Sequence, residues 1–347
     1  MAFISKDFVC KKDGKDVYSY CFKNAKGAEM KITNYGAIII SIRMPDKHNK
    51  FDEVVLGYDN VETYIEDNPF YFGCIIGRYA NRIKGGSFYL GDQRIQLNCN
   101  EGKNHLHGGN EGYHQRVFDG EIKDNAIILT YLSPDGEENY PGNLLVKVRY
   151  ELTDDNEVHI TYEAKSDADT IINLTNHSYF NLNGGKKHIL DHVLFLDADY
   201  YTPTNEELIP TGELKSVKNT PYDFRDSHKI SDTVFDFSSK DVTIGRGYDI
   251  TMVMNGSGLR KVAELTDVSS GRKMDVFTDQ PGVQFFTAHI IHPGTIGLGG
   301  QKYGPYYGIC LEPQVYPDSP NKENFPNCVL RKDEIYTNTC IYKFYNE

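Results

Sequence analysis

Two segments of this chain set an ionisable side chain into an alternating pattern. In Tyr306–Tyr316, Cys310, Glu312, Gln314 and Tyr316 share one side of an extended backbone, and Ile309, Leu311 and Val315 share the other. Glu312 stands between Leu311 and Pro313, with no Lys or Arg in the strand to neutralise it. A carboxylate placed there is costly unless paired, and its proton affinity rises, which suits proton transfer. The competing reading is a structural Glu satisfied by an Arg from elsewhere. Pro313 lacks a ladder donor and predicts a sheet edge or an irregularity beside the Glu. In Thr170–Leu182 one side carries Ile171, Asn173, Thr175, His177, Tyr179 and Asn181; the other carries Ile172, Leu174, Asn176, Ser178, Phe180 and Leu182. The first side mixes donors and acceptors, as a floor for sugar hydroxyls would, or as a solvated sheet face would. His177 adds an imidazole, whose unperturbed pKa of ~6.5 lies near working pH.

Two more constellations carry chemistry-bearing side chains. His105-Leu106-His107 puts two imidazoles on one face if extended, and Glu111 follows His107 by four. That is half of a cupin-type site, in which two His and a carboxylate hold iron or manganese. A His-Gly-Gly turn with His105 packed is the competing reading. Gly77–Ile83 carries Arg78 and Arg82 four apart among small residues. They suit a clamp on substrate oxygens, or a salt bridge that anchors the loop. There is no GxSxG elbow, no phosphate-binding lysine loop and no HExxH pair. Gly294–Gly300 is glycine-rich, but no helical pattern follows, so a dinucleotide site is not indicated.

The elements that must position these groups are strands. Of 347 residues, 25 are Tyr and 18 Phe, with no Trp, and short β-like runs recur from Ala37–Met44 to Glu334–Phe344. Turn signals such as Asn183-Gly184-Gly185 and Ser269-Ser270-Gly271 separate them. Helical periodicity is scarce; the best candidate is about Asn60–Glu66. No linker, repeat or composition shift marks a boundary, so the expectation is an all-β chain, one antiparallel sandwich or barrel over 1–347. A net charge of −12 argues against a nucleic-acid or anionic-membrane partner. No apolar run approaches bilayer length, and the N-terminus lacks a secretory apolar core. Seven Cys with no CxxC pair fit a reducing, cytoplasmic setting.

Six segments together resemble the aldose 1-epimerase (galactose mutarotase) family. They are Ile76–Ile83 (IGRYANRI), Asn104–Gly109 (NHLHGG), Thr175–Leu182 (TNHSYFNL), Tyr248-Asp249, Gln280–Ala288 (QPGVQFFTA) and Ile309–Asn321 (ICLEPQVYPDSPN), in family order across nearly the whole chain. The resemblance implies a large galactose mutarotase-like antiparallel β-sandwich with few short helices and a site in an open cleft. It implies interconversion of α and β anomers of free hexoses such as D-galactose and D-glucose, with no metal and no organic cofactor. By position, His177 is similar to the family's general acid, Glu312 to its base and His107 to a second histidine at the sugar ring. Asn81, Arg82, Tyr179, Asp249 and Gln284 are similar to its hydroxyl-binding residues. Without Trp, Phe286 is the candidate wall for an apolar sugar face, since alternation sets it beside Gln284. After Gly247-Tyr248-Asp249 the family often has His or Asn and then an aromatic, where this chain has Ile250-Thr251. A non-catalytic sugar-binding protein and a hexose-6-phosphate 1-epimerase are the alternatives. The sequence assigns no oligomeric state.

Overall fold

The computed structural model describes residues 3–347. They form an antiparallel β-sandwich built on a nine-stranded sheet and two five-stranded sheets, with small two-stranded ribbons between. The nine-stranded sheet runs, in spatial order, through Asp119–Lys123, Ala126–Ser133, Leu144–Leu152, Glu157–Ser166, Ile335–Asn346, Arg272–Thr278, Arg260–Asp267, Val193–Leu196 and His228–Lys229. Its central strands show why the pattern folds this way. Leu144, Val146, Val148, Tyr150 and Leu152 alternate inward and are buried, while Leu145 and Lys147 face out. They pair without a slip against Glu157–Ser166, whose inner residues Val158, Ile160, Tyr162 and Ala164 meet the same core. That core is continuous from Tyr20 to Phe344 and joins all three large sheets.

The second five-stranded sheet carries the site. Its order is Lys215–Ser216, Ala198–Thr202, Asp249–Met254, Gly282–Phe286 and Cys310–Gln314, so the Glu312 strand is at an edge, as Pro313 indicates. Gly282–Phe286 and Cys310–Gln314 are buried throughout, unlike the one-sided strands of the large sheet. The α-helices among the described residues are Val61–Glu66, where Asn60–Glu66 is expected, and Lys240–Gly245, which the sequence reading does not anticipate. No helix among them is long and apolar enough to cross a membrane.

The expected long strand Thr170–Leu182 is broken. Only Thr170–Ile171 and Thr175–Asn176 are strands, and Phe180 makes single bridges to Val55 and Ile309. Every residue from 170 to 185 is buried, so the polar side is not a solvated face. Its asparagines instead fasten loops. Asn173 donates to Ala80 O at 3.1 Å and accepts from Val315 N at 3.1 Å; Asn181 donates to Tyr307 O at 2.6 Å.

Arg78 is likewise structural, and the substrate-clamp reading of this residue is dropped. It is 2% exposed and donates to Pro141 O, Gly142 O and Ser133 Oγ at 2.8, 3.0 and 2.6 Å, with no ion pair to a described residue. Arg78→Met would strand those acceptors, each a buried group that loses its partner. We expect unfolding free energy to fall by ~2–4 kcal/mol, measured by denaturant titration.

Candidate active site

A cleft of about 360 Å³ opens over the edge of the site sheet. Its walls include Asn81, Arg82, His107, His177, Tyr179, Asp249, Gln284, Phe286 and Glu312, whereas the other candidates Arg78, His105 and Glu111 do not line it. The sheet register supplies one wall. Thr251 lies opposite Gln284 and Gln284 opposite Glu312, so three neighbouring strands present a row of polar side chains. Thr251 Oγ1 donates to Gln284 Oε1 at 2.5 Å, which leaves the Gln284 amide to donate to Asp249 Oδ1 at 2.7 Å. The departure at Ile250-Thr251 therefore keeps the pocket wall: Ile250 is buried in the core and Thr251 orients Gln284.

Backbone contacts hold His177 against the Glu312 strand. Its N–H donates to Cys74 O at 2.8 Å, and its carbonyl accepts from Gly73 at 3.0 Å. Its ring stacks on Tyr179 at 5.0 Å between centroids and lies 6.1 Å from Tyr71. The Tyr179 hydroxyl donates to Phe70 O at 2.7 Å, so this side chain offers its ring as a buttress more than its oxygen as a ligand.

The His-x-His segment is extended over His105–Leu106 but turns at His107, and this removes the cupin reading. His107 has φ 52°, and Gly108 after it has φ 87°. A Cβ on Gly108 would fall 1.9 Å from Gly77 O, so only glycine passes here. The turn sends the two rings apart. His105 lies between Asn98 O and the Tyr140 hydroxyl, each at 2.6 Å, and Glu111 pairs with Arg116 at 3.0 Å. His107 alone reaches the cleft. Its Nδ1 accepts from the Asn81 N–H at 3.2 Å, which in the neutral ring leaves the proton on Nε2.

Glu312 is 1% exposed and no arginine reaches it; the competing structural-Glu reading fails. Its Oε1 lies 3.7 Å from His177 Nε2, and its Oε2 is buried without a partner. Burial pushes the carboxyl well above the usual range, and Asp249 adds to the shift. Burial also pushes His177 down to about 4, and His107 well below the ordinary imidazole range. The expectation of a His177 titrating near its free value is thus corrected. An imidazolium is tolerable here only beside an ionised Glu312, so the two groups form a unit that holds one proton between them.

Several wall residues escaped the sequence reading. Glu101 chelates Arg82 through two hydrogen bonds of 2.7 and 2.6 Å, Tyr71 packs 5.0 Å from His107, and Leu208 and His289 line the rim. Nothing in their local spacing marks them, because each lies outside the regular elements, where no strand or helix period applies.

These features can be set beside known proteins. Residues 18–343 match the family model described as aldose 1-epimerase. The chain is 38% identical over 315 residues to galactose mutarotase of Bos taurus, covering 90% of each. It is 34% identical over 340 residues to aldose 1-epimerase of Escherichia coli K12, covering 96% of this chain and 97% of that one. The crystal structure of galactose 1-epimerase from Lactobacillus acidophilus superposes with a TM-score of 0.89 at 29% identity, covering 100% and 99% of the two chains. A match of this extent, over a sandwich whose edge strand carries a buried carboxyl against an imidazole, places the chain in the aldose 1-epimerase family.

Proposed function

We propose that this protein interconverts the α and β anomers of free hexoses, D-galactose and D-glucose among them, with Glu312 and His177 as the acid–base pair. The observation that carries the reading is the buried Glu312–His177 contact at 3.7 Å on the wall of a cleft that also presents Asn81, Arg82, Asp249 and Gln284. In the tautomer that places the shared proton on His177, Glu312 removes the proton from the C1 hydroxyl while His177 delivers one to the ring oxygen. The C1–O5 bond breaks as the C1 carbonyl forms, the open chain turns about C1–C2, and closure on the other carbonyl face returns both protons. The pair starts and ends with one proton, so each turnover leaves it ready for the next. His107, with Nε2–H toward the cleft, assists at the ring oxygen. Asn81, Arg82, Asp249 and Gln284 hold hydroxyls and fix the pose, with Phe286 against the sugar's apolar face. Polarimetry or NMR of freshly dissolved α-D-galactose, with and without protein, tests this; binding without faster anomer exchange would make it a sugar-binding protein instead.

Residues 1–347 act as one domain in this reading, supported by the core that runs from Tyr20 to Phe344. Its partner is a free hexose, not nucleic acid or membrane. Cytoplasmic residence is supported by seven unpaired cysteines, which a reducing compartment maintains.

Free sugars should be preferred to their 6-phosphates. The Arg82 guanidinium is already neutralised by Glu101, and no other Lys or Arg lines the cleft among the described residues to hold a phosphate dianion. We expect kcat/KM for glucose 6-phosphate to be ~10-fold or more below that for glucose, a gap of ~1.4 kcal/mol. A preference for the phosphate would promote the hexose-6-phosphate alternative.

The chemistry assigned to Glu312 and His177 calls for no metal. Mutarotation should persist after exhaustive treatment with EDTA and dialysis. Activity that vanished on chelation and returned with iron or manganese would overturn the assignment.

A further inference from the structure

We propose that His177, Cys310 and Glu312 form a latent site for a thiophilic divalent cation, zinc or cadmium, whose occupancy shuts down the cleft. Cys310 and Glu312 sit two apart on the same side of one strand, and His177 packs against both. One nitrogen, one sulfur and one oxygen from these three buried residues all lie within 4.8 Å of one another. Cys310 Sγ is 3.6 Å from His177 Nδ1. Zinc bonds of ~2.3 Å to sulfur and ~2.0–2.1 Å to nitrogen at a tetrahedral angle put those atoms ~3.6 Å apart, so this edge of the polyhedron is already made. Glu312 Oε1 contacts the other ring nitrogen, Nε2, at 3.7 Å, so the carboxyl must rotate to share a cation with Cys310, and its Oε2 is buried with no partner to give up. His177 and Glu312 line the cleft while Cys310 is fully buried behind them, so a cation held here draws its ligands from the cleft wall. A nitrogen, sulfur and oxygen set favours zinc and cadmium over magnesium or calcium. As the metal–sulfur bond forms, the Cys310 thiol releases its proton to water; nothing is oxidised or reduced. The bound cation takes both members of the proton-transfer pair, so it competes with substrate.

The inference goes beyond the proposed function and can be tested apart from it. Cadmium is titrated into the metal-free full-length protein while the ultraviolet cadmium–thiolate absorption and mutarotation are both recorded. We expect one equivalent to produce the band and to inhibit, with galactose relieving the inhibition competitively. Cys310→Ser should lose the band and weaken inhibition by more than the ~100-fold that loss of an outer-sphere partner alone can cost. Cys310→Ala serves if the serine variant does not fold. Cys99→Ser, which removes the exposed thiol, should change neither readout. A band and inhibition that survive in the Cys310 variant, or no band in the wild type, overturn the proposal. A Cys310-dependent band in a protein that never speeds anomer exchange would uphold the metal site and refute the epimerase reading.

Discussion

Glu312→Gln should lower kcat for α-D-galactose by ~10²–10⁴, the usual range for loss of one general acid–base group. The amide keeps the shape of the carboxyl but can neither take the C1 proton nor carry it to the next turnover. The side chain is 1% exposed and makes no protein hydrogen bond at Oε2, so the neutral amide removes a buried ionisable group and little else. Thermal unfolding should stay near that of the wild type, and galactose should still bind by calorimetry. His177→Asn should lose a similar factor. The double variant should be scarcely slower than either single one, since groups that act as a unit are not additive. His107→Asn should hurt less, as it assists at an atom His177 already serves. Near-native turnover in both single variants, with native-like unfolding, would refute the assigned roles.

The rate should trace a bell against pH, falling tenfold per pH unit on each side, because only the one-proton form of the pair is competent. The limbs are the reverse of those that free side chains would give. Burial pushes His177 down to about 4, so the acidic limb is the arrival of a second proton, mainly on the imidazole. Burial raises Glu312 well above the carboxylate range, so the basic limb is the loss of the last proton, mainly from the carboxyl. The plateau therefore extends below the pH at which an ordinary histidine protonates. The efficiency–pH curve, corrected for the spontaneous reaction at each pH, checks this, and nitrogen-15 NMR of the histidines checks the site directly. His177 still neutral at pH 6 fits; His177 titrating near ~6.5 would contradict it.

The amino-acid sequence by itself determined the class of fold and singled out Glu312 and His177, though not every residue that faces the cleft. Strand alternation is a local property with a period of two, so Leu144–Leu152 and Glu157–Ser166 declare their inner faces without reference to any other part of the chain. Glu312 between Leu311 and Pro313 is conspicuous for the same reason, and the proline marks the sheet edge because it lacks a donor. Tertiary structure alone decided how those groups meet. Whether His177 reaches Glu312, whether Tyr179 spends its hydroxyl on Phe70 O, and whether His105 and His107 share a ligand depend on backbone that local pattern does not encode. A single positive φ at His107 parts two imidazoles that an extended chain would align. The polar side of Thr170–Leu182 was legible as polar, yet only packing against Ala80, Val315 and Tyr307 turned its asparagines into buried fasteners. The proton affinities are decided last of all, since they follow from the exclusion of water by every element around the site, and that exclusion does not exist until the whole sandwich has closed.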